Sequence, residues 1–104
     1  MSPWVIVLFA GLLETGWAIG LKYSDGFSKL WPSIGTVGGA VLSFYLLSLG
    51  MKSLPVGTVY AVWVGIGAVG TAVLAVVLFG EPVTALRVVG IGLIVAGIAA
   101  LKFA

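Results

Sequence analysis

A glutamate stands alone in an apolar stretch. Between residues 4 and 21 the only charge is Glu14. It lies ten residues after Trp4, about 15 Å along a helix at ~1.5 Å per residue. That is roughly the bilayer midplane, where a charge costs at least ~2.5 kcal/mol. No Lys or Arg in the other apolar runs can pair with it. The carboxyl must therefore be protonated, face a watery cavity, or bind a cation. Low dielectric favours the neutral acid and a bound cation favours the carboxylate. A group with both options can exchange protons for cations. The bland alternative is a protonated glutamate bonded to a neighbouring helix. Acids inside membrane spans usually mark ion or substrate paths, so Glu14 is the expected proton- and substrate-binding residue.

Its helical neighbours add detail. Gly11 at i−3, Ala10 at i−4 and Ala18 at i+4 are small and leave room beside the carboxyl. Trp17 at i+3 shares the face, and aromatic faces attract cations. Trp17 also fits the role of a membrane-interface anchor. Further along, Tyr60 and Trp63 share a face, with Gly57 and Gly67 above and below. Trp63 lies about 12 Å in from Pro55, deep for an interface belt. The Tyr60 hydroxyl can hydrogen-bond a carboxylate, and ordinary aromatic packing also explains the pair. Ser43 either reaches a carboxylate or bonds its own helix backbone. Gly65, Gly67 and Gly70 soften the third span, and a bend at Gly65 and Gly67 would serve as a hinge. Gly90, Gly92, Ala96 and Gly97 give the fourth span a surface for close helix packing.

The elements that must carry these residues follow from composition. Of 104 residues, 62% are hydrophobic and 8% are charged. Soluble domains average about 45–50% and 25%, and a small domain cannot hide so much apolar surface. The chain reads as one all-α integral membrane domain, residues 1–104. Charges and turn residues divide it into four helices, approximately 4–21, 32–50, 55–79 and 84–103. About 20 residues cross the hydrocarbon core. The fourth run reaches that length if Arg87 and Lys102 snorkel outward. Asp25-Gly26, Pro55 and Gly80-Glu81-Pro82 mark the connections. Loops this short imply an up-down antiparallel bundle. Residues 1–20 lack a basic leader segment, so a cleaved signal peptide is not expected.

Lys22, Lys29 and Arg87 fall on one side of the membrane. Lys52, Lys102 and the N-terminal amine fall on the other. Lys/Arg bias sets orientation, and here it is nearly balanced. Insertion both ways up, giving an antiparallel homodimer, is one reading. A single orientation set by another feature is the other. The lysines and Arg87 are most simply interface anchors, and Asp25 and Glu81 solvated loop charges.

A net charge of +2 is too small for nucleic-acid binding. With no His and no Cys, no metal or other cofactor is expected. There is no phosphate-binding glycine loop with a lysine and no second intramembrane acid. The residues suit binding and exchange better than enzymatic bond-breaking.

The chain resembles the small multidrug resistance transporters over essentially its whole length. The matching pieces are Glu14, Lys22-Tyr23-Ser24-Asp25-Gly26-Phe27, and the run from Leu54-Pro55-Val56-Gly57-Thr58-Val59-Tyr60-Ala61-Val62-Trp63 to Gly65-Ile66-Gly67. Gly90 through Ile98 looks like the family's dimerisation stretch, with Gly90, Ala96 and Gly97 at the interface. Gly11-Leu12-Leu13-Glu14 followed by Trp17 resembles the guanidinium-exporter subtype. The multidrug subtype usually has glycine in place of Trp17. The resemblance implies an antiparallel homodimer in the inner (plasma) membrane. It implies one shared site with both Glu14 carboxylates, lined by Gly11, Trp17, Ser43, Tyr60 and Trp63. It also implies proton-coupled export of guanidinium. Val59 and Val64 depart from the usual Ala and Ser or Thr, and Val64 lacks a hydroxyl. Guanidinium is planar and can present paired donors to a carboxylate. Trp17 would narrow the pocket and stack on such a cation.

Rival readings remain. A broad-specificity quaternary ammonium/proton antiporter needs the same glutamate. A heterodimeric family member would be inactive alone. A proton-translocating ring subunit also buries one carboxylate, but usually has two spans. A structural or lipid-handling membrane protein would make Glu14 dispensable.

Overall fold

Long apolar runs have one economical structure in lipid, because a helix satisfies its own backbone polar groups. The computed structural model describes residues 2–104 and contains four helices. They are α1 (Pro3–Ser24), α2 (Leu30–Gly50), α3 (Val56–Phe79) and α4 (Ala85–Lys102). Each is long and apolar enough to cross a membrane. Residue 1, which carries the N-terminal amine of the charge count, lies outside the described residues.

The helix ends follow local chemistry. Pro3 opens α1, and the Ser2 hydroxyl accepts from Trp4 N at 3.3 Å. Proline has no N–H to lose at that position. α1 stops where Asp25, Gly26 and Phe27 all take left-handed backbone angles. The buried Ser24 holds this turn by donating to Leu21 O at 2.7 Å and accepting from Phe27 N at 3.2 Å. Gly80 ends α3 in the left-handed region, which glycine enters without a Cβ clash. Thr84 then caps α4 by accepting from Arg87 N at 3.1 Å. In the same turn, Arg87 forms an ion pair with Glu81 at 2.7 Å and donates to Pro82 O at 2.9 Å. Arg87, read as an interface anchor, and Glu81, read as a solvated loop charge, are partners across this exposed turn.

α1 occupies the centre, packed against α2 on one side and α3 on the other. Pairs along the first contact run in opposite order. Gly20 meets Thr36, Gly39 meets Trp17, and Gly50 meets Val7, so α2 is antiparallel to α1. Along the second contact Gly11 meets Ile66, Glu14 meets Gly67, and Thr15 meets Gly70, so α3 runs parallel to α1. Val7, Ala10, Leu47, Val59, Val62 and Trp63 form the buried cluster where the three helices meet. The backbone of α4 approaches α3 alone, through Ile94 and Ile98 at Gly65. No residue of α4 is buried. The molecule measures 40 × 34 × 19 Å, so its thin dimension holds about two helix diameters. Connections are short as expected, and α1, α2 and α3 pack round a common cluster while α4 lies against the outside of α3.

Candidate functional site

Glu14 sits near the middle of α1 and points at α3. Gly67 makes this possible. A Cβ at Gly67 would collide with the carboxyl Cδ and Oε2, and would lie 2.7 Å from Cγ. Gly11 was expected to leave room beside the carboxyl. Its missing side chain is instead filled by Ile66, whose Cγ2 would lie 2.6 Å from an added Cβ. Gly67 lies inside a continuous α3 and serves as a contact surface for Glu14, while Gly65 receives Ile98.

Two buried polar side-chain atoms have no hydrogen-bond partner among the described residues. They are Glu14 Oε2 and Trp17 Nε1. They belong to side chains one helical turn apart. Buried polar groups are almost always paired, and here an acceptor facing α3 and an indole donor on the α2 side of α1 are both left unpaired. One is ready to take a proton or a cationic donor, and the other is an N–H without an acceptor.

The remaining expected residues connect through a different route. Ser43 is fully buried and donates across to Ala10 O of α1 at 2.7 Å. It accepts from Trp63 Nε1 at 3.0 Å. Its hydroxyl is thus engaged with two other helices, neither with its own backbone nor with Glu14. Trp63 stacks at an angle on Tyr60, ring centres 5.6 Å apart. Phe44, absent from the expected set, joins the two tryptophans edge-on, 5.8 Å from Trp63 and 6.2 Å from Trp17. Trp17, Phe44, Trp63 and Tyr60 therefore form one aromatic chain across α1, α2 and α3. Tyr60 ends it, 53% exposed. Nothing in the apolar run of α2 distinguishes Phe44 beyond its place next to Ser43. Thr15 was also missed, although a hydroxyl next to a membrane-buried acid was a usable signal.

Gly90, Ala96 and Gly97 stand apart from this site. A Cβ at Gly90 or Gly97 would meet nothing within 4 Å, and Ala96 is exposed. A depression of about 460 Å³ lies at the membrane-end turn, lined by Lys22, Tyr23, Asp25, Lys29 and Phe79, away from Glu14. Among the described residues no cluster of acids could hold a metal ion.

Comparison with known proteins gives a consistent picture. The family model described as Small Multidrug Resistance protein matches residues 2–94. A guanidinium exporter from Yersinia pseudotuberculosis is 59% identical over 101 residues, covering 97% of each chain. One from Salmonella typhimurium is 56% identical over 99 residues, covering 95% of this chain and 94% of its own. Another from Citrobacter freundii is 54% identical over the same length.

Proposed function

The chain belongs to the small multidrug resistance family, and from that premise we propose that it exports guanidinium and small guanidinyl cations in exchange for protons. Family and relatives point to a transporter, and four apolar spans make it a multi-pass membrane protein, in bacteria one of the inner membrane. The observation that carries the substrate reading is the bare Glu14 Oε2, buried mid-span, with the bare Trp17 Nε1 one helical turn along the same helix. Relatives named guanidinium exporters support it.

The working unit is an antiparallel homodimer with two Glu14 carboxyls in one site. The peripheral place of α4 supports this reading, since it has an unpartnered outer face and Tyr60 is half-exposed at the end of the aromatic chain. Glu14 provides the charge, Trp17 and Trp63 provide flat walls for a planar cation, and Ser43 fixes the Trp63 ring. Gly65 and Gly67 let α3 change its fit against α1 and α4. Protons and guanidinium compete for the two carboxyls, which titrate as a coupled pair. The doubly protonated dimer and the guanidinium-bound dimer are both free to change their accessible side. An empty charged site does not cross, which prevents leak. Exchange of two protons for one cation would draw ~1.4 kcal/mol per proton for each pH unit of gradient.

Guanidinium added to proteoliposomes containing the native chain should produce a current and a pH change, both abolished in Glu14→Gln. Binding to the native protein should weaken as pH falls, because the protonated acid no longer attracts the cation. No signal from the native chain, or an undiminished one from Glu14→Gln, would sink the proposal. Robust transport of bulky quaternary ammonium ions with no response to guanidinium would replace the substrate with the multidrug class.

A further inference from the structure

Thr15 follows Glu14 in sequence and enters the same groove on α3. Its side chain is buried, and its hydroxyl faces two carbonyls. Gly11 O on its own helix lies at 3.4 Å and Gly67 O on α3 at 3.3 Å. Both distances are long for O–H···O bonds, as expected when one proton serves two acceptors. Gly70 makes room for it, since a Cβ there would collide with Thr15 Oγ1 and lie 3.0 Å from Cγ2. The α3 residue that Thr15 bonds, Gly67, is the one on which the Glu14 carboxyl rests. Adjacent α1 side chains therefore read adjacent turns of α3, one through contact and one through a hydrogen bond.

We propose that Thr15 is a positioning residue for Glu14: its shared hydroxyl sets the register of α1 on α3 and lets that register change without stranding a buried donor. Small sliding of packed helices is a common way to switch between two arrangements. In the arrangement seen, the proton is divided between Gly67 O and Gly11 O. When α3 shifts, Gly11 O keeps it, so no unpaired donor is left in the interior. Both arrangements are then accessible, and the α3 bond contributes the preference for the one in which Glu14 lies on Gly67. This inference rests on the transport reading above, because its functional consequence is a rate of turnover.

Thr15→Val keeps the shape and deletes the hydroxyl. Thr15→Ser keeps the hydroxyl and deletes the methyl. Gly70→Ala reaches the same contact from α3 by placing a methyl where the hydroxyl stands. In proteoliposomes, Thr15→Val and Gly70→Ala should lower guanidinium turnover about three- to tenfold, the scale set by loss of one hydrogen bond. In Thr15→Val the KM should change less than turnover, within about twofold, since the carboxyl, Gly67 and the aromatic walls keep all their atoms. Thr15→Ser should restore native turnover. A second readout needs no substrate: the carbonyl ¹³C resonance of Gly67 in bilayers should move in Thr15→Val and hold in Thr15→Ser. Native turnover in Thr15→Val overturns the positioning role, and an unmoved Gly67 resonance overturns the bond itself. Equal impairment in Thr15→Ser and Thr15→Val also overturns it, because the methyl would then be the cause. A native chain that moves no guanidinium, yet shows the Gly67 shift, overturns the transport reading and the turnover role while leaving the bond in place.

Discussion

On α3, Gly67 and Gly70 lie under the carboxyl of Glu14 and the hydroxyl of Thr15. On α4, Gly90, Gly92 and Gly97 face nothing within 4 Å. Both are stripes of small residues in apolar helices, of the kind that lets helix surfaces approach closely. The first is filled from within the protomer by polar side chains. The second is filled by nothing in the protomer, and its helix buries no residue. The contrast separates two uses of one residue type. A glycine under a polar side chain governs where a functional group stands. A glycine on an outward face governs only what the protomer can meet, either lipid or a second copy.

The largest expected effect breaks the α3 side. Gly67→Ala forces the Glu14 carboxyl off its seat. Guanidinium affinity should fall at least tenfold, about 1.4 kcal/mol, measured by calorimetry on detergent-solubilised protein. A matching Gly90→Ala should leave affinity within about twofold, since its methyl meets open space. Equal effects would erase the distinction between the two stripes.

The next test sharpens the α4 side. Gly97→Val should leave the protomer folded, because no contact is displaced. If α4 pairs with a second copy, the same change should weaken the dimer about tenfold, roughly 1.4 kcal/mol. Single-molecule counting in progressively diluted liposomes reads this directly. An unchanged dimer would assign the α4 stripe to lipid.

Ser43→Ala lies between the regions. It removes the tie between Trp63 Nε1 and Ala10 O and leaves a buried indole donor unpaired. Hydrogen bonds inside membrane proteins average about 0.6 kcal/mol, and an orphaned donor raises the loss to about 1–2 kcal/mol. Unfolding in mixed detergent measures it. Loss of less than half a kcal/mol would mean that the aromatic chain stands without Ser43.

The four spans were legible because charges and turn residues fall between them, and bilayer thickness limits how such runs can be read. Glu14 was legible because it is the one acid within a helix and the one charge far from a helix end. The rotation of each helix about its axis was not. A soluble helix declares its packed face by an apolar stripe, whereas these helices are apolar all round. Thus Gly11 and Gly67 were indistinguishable as neighbours of the carboxyl until Ile66 was seen filling one of them. Ser43 had two open readings and takes neither, because its partners lie on helices far away in sequence. The outward face of α4 was visible as a stripe of small residues, but whether anything in the protomer covers it depends on which side of α3 the helix takes.

The smallest expected effect concerns the hinge between the two regions. α4 is attached to the rest through its packing on Gly65, through Ile98 and Leu101 on the buried cluster, through Lys102 over the Trp4 ring at 5.9 Å, and through the turn that Glu81 and Arg87 clamp. The two side chains are 44% and 37% exposed, respectively, so solvent screens their attraction. Such pairs contribute about 0–1 kcal/mol. Glu81→Gln should therefore lower stability by no more than about 0.5 kcal/mol, an effect that fades in ~1 M salt as the screening length drops to about 3 Å. Arg87 retains its bond to Pro82 O in that variant, and Thr84 still caps the helix. Unfolding in low and high salt gives the comparison. A loss above 2 kcal/mol would show that the ion pair, and not the isoleucines on Gly65, holds α4 against α3. The open face of α4 would then be presented by a turn held electrostatically, and dimer strength would follow salt as well.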